Sequence, residues 1–117
     1  MTVHDIIKTA FALEYEDIES DRDAVRHSIE VLNTLLIDCF DAENNSRESE
    51  GRPLLTDVPF MRELTDEVPY NLYMVRHVLP YGLEWKYAEQ NLDQYRADQY
   101  KRLYDDARHI AGRAVWL

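Results

Sequence analysis

The strongest helical periodicity in the chain lies in residues 25–40, VRHSIEVLNTLLIDCF. Its apolar side chains recur every three or four residues, which places them on one stripe of an α-helix. The members of this stripe are Val25, Ile29, Leu32, Leu35, Leu36, Cys39 and Phe40. Ser20 or Asp21 is a suitable N-cap ahead of them. The pattern predicts a helix over about residues 21–42, whose apolar stripe forms the core.

The sequence before the central segment predicts a short first helix followed by a solvated connection. Thr2 and Asp5 have the spacing of a capping box, and apolar residues follow at helical spacing. Residues 14–23 are too acidic to pack. Alternate carboxylates from Asp17 onward look like the start of an EF-hand loop, but Arg22 stands where that loop requires glycine. No metal site is therefore predicted.

Beyond the central segment, the sequence predicts a long loop over residues 43–69. Residues 43–51 contain no apolar side chain, and glycine and proline punctuate the stretch from residue 51 to residue 69. Five apolar residues of this loop show no helical period: Leu54, Leu55, Val58, Phe60 and Met61. They either form short extended segments or are available to a partner surface. We assign them to a candidate assembly interface.

The helical period returns after Pro69, with Leu72, Val75 and Leu79 on one stripe. Pro80 interrupts this stripe, because proline lacks a backbone N–H and its ring clashes with the preceding turn. We therefore expect a break or kink here, with Pro80 in the first turn of the next helical piece.

The last helix is predicted to begin at a capping box formed by Asn91 and Gln94 and to end at Gly112. Residues 113–117 then form a tail with three large apolar residues: Val115, Trp116 and Leu117. Such a tail either folds back on its own core or docks on a neighbour, and we add these residues to the candidate interface. The predicted fold is mainly α. It is a single domain, residues 1–117, with about four helices, a long and partly extended loop between the second and third, and an extended C-terminal tail.

Composition excludes several function classes. In 117 residues, 45% are hydrophobic and 31% charged, as in a globular protein, and the formal net charge of −10 disfavours binding to nucleic acid. Thirteen of the 23 acids lie in residues 1–50, beside only four bases. The single cysteine, Cys39, lies on the apolar stripe and is interpreted as a buried hydrophobe. No spacing points to catalysis, a metal or a cofactor, and no stretch is apolar enough to cross a membrane.

Three segments, in this order, carry a family resemblance. They are TVHDIIKTA at residues 2–10, LNTLL at 32–36 with DAE at 41–43, and LPYGL at 79–83 ahead of the aromatic segment 91–111. This order is similar to that of the small head-to-tail connector (adaptor) proteins of tailed bacteriophages. The acidic stretch 14–23 departs from the small, glycine-containing turn often found in that family.

The resemblance implies a structural protein of the virion neck, without enzymatic activity, assembled in the host cytoplasm. Such adaptors form a homo-oligomeric ring, usually a dodecamer, below the portal protein. The ring extends the DNA channel, through which DNA passes without specific binding, and docks the next neck or tail protein. An alternative from another class is a small acidic regulator or inhibitor that mimics nucleic-acid charge. The two differ in size, because a mimic is expected as a monomer or dimer.

Overall fold

The computed structural model describes residues 1–16 and 22–113 and shows a mainly helical protein. Its helices are α1 (Val3–Ala12), α2 (Arg22–Asp38), α3 (Phe40–Ser49), α4 (Leu79–Gln90) and α5 (Gln94–Ala111), with a π-helical turn at Met74–Val78 leading into α4. The described residues contain no strand and one isolated antiparallel bridge, between Thr2 and Glu67. The predicted fold class is confirmed as mainly α, with five helices where about four were expected.

Helix α1 begins at the predicted capping box. The Asp5 N–H donates to Thr2 Oγ1 at 3.2 Å, and the Thr2 N–H donates to Asp5 Oδ2 at 3.1 Å. These bonds also hold the pKa of the Asp5 carboxyl below its usual range. The apolar face of α1 is buried and comprises Val3, Ile6, Ile7, Ala10 and Phe11. The prediction of the first helix is confirmed.

The central segment differs from its prediction at its C-terminal end. Helix α2 ends at Asp38, and after Cys39 the chain continues as α3 to Ser49. The predicted loop at residues 43–49 is therefore wrong. The inward positions of α3 are polar, because Glu43 and Ser46 are buried there. Hydrophobic periodicity cannot reveal a helix whose buried face carries a carboxylate.

The predicted core stripe is confirmed over its C-terminal part, from Leu32 to Cys39. Leu32, Leu36 and Cys39 have no exposed surface, while Val25 and Ile29 are partly buried against the same core. The buried thiol of Cys39 lies 3.2 Å from Tyr104 Oη. Burial raises its pKa to about 11, so the thiol is uncharged and behaves as the predicted small hydrophobe.

Pro80 lies in the first turn of α4, as predicted. The chain does not break there, since the π-helical turn Met74–Val78 precedes it directly. Such a wider turn rotates the residues after it relative to those before it. Val75 and Leu79 are consequently buried while Leu72 is 58% exposed, so the predicted stripe is wrong for Leu72.

Helices α4 and α5 form a hairpin, and the N-cap of α5 lies two residues beyond the predicted one. Leu92 has a φ of 59°, which reverses the chain, and Asp93 is the N-cap that accepts from the Arg96 N–H at 3.1 Å. The predicted capping box at Asn91 is therefore wrong. Gly112 ends α5 as expected, whereas tail residues 114–117 lie outside the described part of the chain.

Candidate docking surface

Residues 50–73, which we call the belt, connect α3 to the π-helical turn and contain the predicted interface loop. Two asparagine side chains hold the belt's backbone. Asn33 Nδ2 donates to the Met61 carbonyl at 2.8 Å, and the Met61 N–H donates to Asn33 Oδ1 at 2.8 Å. Asn44 forms the same pair with Leu55, at 3.1 and 2.9 Å. A side-chain amide used in this way supplies the donor and acceptor that a neighbouring strand would supply.

Arg47 joins the two ends of the belt. Its guanidinium donates to the Pro53 carbonyl at 3.1 Å and to the Pro69 carbonyl at 2.5 Å. Its Nε donates to Glu43 Oε2 at 2.7 Å. One side chain from α3 therefore fixes two belt positions that are far apart in sequence.

Glu43 is fully buried and completes this arrangement. Its Oε1 accepts from both nitrogens of Asn71, the backbone N–H at 2.8 Å and Nδ2 at 3.0 Å. Asn71 Oδ1 in turn accepts from the Met74 N–H at 2.9 Å, at the start of the π-helical turn. A buried carboxylate is tolerated when its oxygens are paired and hydrogen-bonded, and both oxygens of Glu43 are. Removing the carboxylate would take away the acceptor of the Arg47 Nε–H and of the Asn71 backbone N–H.

Helix α1 is tied to the far part of the belt. The Val3 N–H donates to the Asp66 carbonyl and the His4 N–H to the Leu64 carbonyl, both at 2.9 Å. The first N–H groups of a helix have no acceptor within the helix, so the belt supplies acceptors to α1. The Asp66 carboxylate accepts from the N–H groups of Arg62 and Glu63, which holds its pKa below the usual range.

Some predicted interface residues point outward from this fixed backbone. Leu54 is 51% exposed, Val58 is 36% exposed and Phe60 is 67% exposed. The Arg62 guanidinium lies over the Phe60 ring, 5.8 Å from its centroid. Leu55 is half-buried and packs against the core. The belt thus presents three apolar side chains on a backbone that hydrogen bonds anchor at Leu55 and Met61.

The structure corrects the prediction for Met61. This side chain is only 6% exposed and belongs to the core, because Asn33 holds the Met61 backbone against α2, whereas the neighbouring Phe60 side chain is 67% exposed. The other predicted interface residues, Val115, Trp116 and Leu117, lie outside the described residues. Their part in an interface stays a prediction.

Sequence patterns did not reveal the residues that hold the belt: Asn33, Asn44, Glu43 and Arg47. One signal was present, because Glu43 and Arg47 are four residues apart and can pair on a helix. The asparagines gave no signal, since their partners are backbone groups of a distant segment.

Glu84 on α4 was also missed and is 2% exposed. Among the described residues its Oε1 has no hydrogen-bond partner. Burial, followed by the nearby carboxylates of Glu16 and Glu14, raises the pKa of Glu84 to about 8, and Arg96 opposes this increase. Glu84 therefore holds a proton at neutral pH.

Glu14 at the end of α1 is not fully solvated, as the acidic connection was expected to be. Its Oε2 lies 3.0 Å from Arg96, and its Oε1 accepts from the Tyr100 hydroxyl at 2.8 Å. The predicted connection is therefore wrong for Glu14, which ties α1 to α5. Residues 17–21, which include carboxylates of the EF-hand-like stretch, lie outside the described residues.

Within residues 1–16 and 22–113, no group of three His, Cys, Asp or Glu side chains is placed to hold a metal ion. The same part of the chain contains no helix long and apolar enough to span a bilayer. Comparisons with protein-family models, with curated proteins and with solved structures found no match.

Proposed function

We propose that this chain is a structural connector, the head-to-tail adaptor of a tailed-phage virion, which forms a homo-oligomeric ring below the portal protein. The observation that carries this proposal is the belt. A surface that docks a partner repeatedly benefits from a rigid backbone, since less conformational entropy is lost on binding. The belt backbone is held by side-chain hydrogen bonds at Leu55 and Met61, which favours such rigidity, and the belt exposes the apolar side chains of Leu54, Val58 and Phe60.

The resemblance in the order of the TVHDIIKTA, LNTLL and LPYGL segments supports the same proposal. In it, residues 43–69, which include most of the belt, correspond to the long loop between two helices of the connector family. The net charge of −10 fits a ring that surrounds DNA without holding it, because basic groups facing the lumen would bind phosphate and retard its passage. The ring then contacts the portal on one side and the next neck or tail protein on the other, and it performs no catalysis.

The belt is tested by replacing Leu54 and Phe60 with serine. We expect the double variant to remain folded, because both side chains are exposed, and to lose most of its attachment to portal assemblies. A matched control replaces Ile37 and Ile110, which are 64% and 50% exposed on α2 and α5 and lie outside both the belt and the predicted interface, with serine. The measurements are circular dichroism of the isolated chain and electron microscopy of portal assemblies incubated with each variant.

Attachment of the belt variant at the level of the wild-type chain would contradict the docking role of the belt. A wild-type chain that sediments as a monomer with portal assemblies present and binds a basic protein instead would favour the charge-mimic alternative. Equal losses in the belt variant and the control variant would show that no particular apolar surface is involved.

A further inference from the structure

A second surface lies on the side of the molecule where the N-terminal half of α2 faces the start of α1 and the belt. It is a groove of about 700 Å³. Three apolar residues, Val25, Ile29 and Leu64, line it, and each is partly buried against the core. Val25 and Ile29 are one helical turn apart, so their side chains form a continuous apolar floor.

The rim of this groove is basic. Arg22 and Arg26 are one turn apart on α2, Arg62 comes from the belt, and His4 comes from α1. The three arginines are exposed. No acidic side chain lines the groove among the described residues, and none of the three arginines forms a salt bridge there. The Phe60 ring lies beside the Arg62 guanidinium.

This concentration of positive charge is unusual for the chain. Residues 1–50 contain four bases beside thirteen acids, and Arg22 and Arg26 are two of those four. Like charges four residues apart on a helix repel each other mildly. Asp23 and Glu30 lie three residues before and four residues after Arg26, but neither arginine forms a salt bridge with a described acid. Guanidinium groups bind carboxylates in a planar, two-pronged geometry. The groove therefore combines an apolar floor with three guanidinium groups, none of which forms a salt bridge with a described acid, although Asp66 lies close to Arg62.

From this combination we propose that the groove binds an acidic, amphipathic segment of a partner protein. An apolar side chain of that segment lies on Val25, Ile29 and Leu64, and flanking carboxylates pair with the arginines. Nucleic acid is a poorer occupant, because no Phe, Tyr or Trp side chain among the described residues lines the groove for base stacking, and a long polyanion meets more repulsion from a chain of net charge −10 than a short acidic segment does. This docking would operate whatever assembly the belt serves, so it stands apart from the proposed function.

The test selects binding sequences from a display library of random peptides about 12 residues long against the full chain. We expect enrichment of peptides in which acidic residues flank a large apolar residue. A synthetic copy of the enriched peptide is then titrated by fluorescence anisotropy. Its affinity should fall with rising salt, since partly exposed ion pairs are screened.

Three groove variants and one control locate the binding site. Arg26→Glu together with Arg62→Glu should weaken binding at least about tenfold through charge repulsion, and Ile29→Ser should weaken it through loss of the apolar floor. The control is Arg102→Glu, which makes on the exposed face of α5 the charge change that each single arginine substitution makes in the groove, and Arg26→Glu alone is compared with it. Circular dichroism checks the fold of each variant, and only variants with the wild-type spectrum are compared.

Several results would overturn the proposal. These are no enrichment, enrichment of basic peptides, or equal loss of affinity in Arg102→Glu. If polyglutamate, an oligonucleotide or anionic vesicles bind as tightly as the enriched peptide, the groove attracts negative charge and does not recognise an apolar side chain. Self-association of the wild-type chain that Arg26→Glu abolishes would assign the groove to a second copy. Peptide binding only after Asp17, Glu19 and Asp21 are neutralised would assign it to the chain's own acidic segment.

Discussion

The burial of Glu84 makes the stability of the fold depend on pH. Its carboxyl on α4 is buried near Glu14, Glu16 and Arg96, and burial raises its pKa to about 8. In the unfolded chain the same carboxyl ionises near its ordinary pKa of 4.5. Between these two values the folded chain retains a proton that the unfolded chain has released. Stability from this group is therefore fully present below about pH 4.5 and is lost as pH rises towards 8.

The variant Glu84→Gln tests this linkage. Glutamine resembles the protonated carboxyl, so the variant should match the wild-type chain near pH 4.5 and become relatively more stable as pH rises to 8. The advantage is at most about 1.4 kcal/mol for each unit between the two pKa values. The measurement is the urea midpoint at about pH 4.5, 6.5 and 8.5, which spans the window between the two pKa values. The control Glu89→Gln, at an exposed position of the same helix, should show no such trend, and parallel curves for both variants would refute the linkage.

At the level of elements, prediction succeeded where the signal was local. The Thr2 cap, the apolar stripe of α2, the position of Pro80 and the end of α5 at Gly112 all depend on residues within a few positions of each other. Helix α3 and the belt were not predictable in this way. The hydrogen bonds that Asn33, Asn44 and Glu43 make to the belt join residues 11 to 28 positions apart, and they involve backbone groups or a buried carboxylate, which leave no periodic trace.

Asn33 tests whether side-chain amides hold the belt in place. Asn33→Ala removes both hydrogen bonds to Met61 and leaves the Met61 backbone groups without partners. We expect faster amide hydrogen exchange at residues 60–62 and a loss of about 1–3 kcal/mol in the free energy of unfolding. The control is Asn45→Ala, at a position on α3 that makes no hydrogen bond to the belt among those described. Unchanged exchange in the belt would mean that the Asn33 bonds contribute nothing to its order.

At the level of the whole molecule, α4 is the element around which the others pack, in contact with α1, α2 and α5. Gly82 lies where this packing is closest. A Cβ added there would lie 2.8 Å from Leu35 Cδ1 and 2.9 Å from Tyr104 Cε1. The Tyr104 ring is held in place because its hydroxyl donates to Asp38 Oδ2 at 2.5 Å. The architecture therefore depends on the absence of a side chain at one position of the LPYGL segment.

Gly82→Ala should destabilise the protein although alanine is the better helix former. We expect a loss of about 1–3 kcal/mol from overpacking, partly offset by about 1 kcal/mol of helix propensity. Thermal unfolding measures the change. Gly82→Ala combined with Leu35→Val, which shortens one of the clashing side chains, should recover part of the loss. A melting temperature that Gly82→Ala raises would show that the neighbouring side chains move aside freely.

The contacts between α1 and the belt also affect the order in which the chain can fold. The first N–H groups of α1 find their acceptors at Leu64 and Asp66, about sixty residues later in the sequence. During synthesis, α1 emerges long before those acceptors exist, and closing so long a loop costs considerable chain entropy. Helix α1 therefore cannot complete its hydrogen bonds before the belt has been synthesised. A nascent chain that ends at Ser49 contains the segments of α1, α2 and α3 but lacks the belt, which joins α1 to the other two helices.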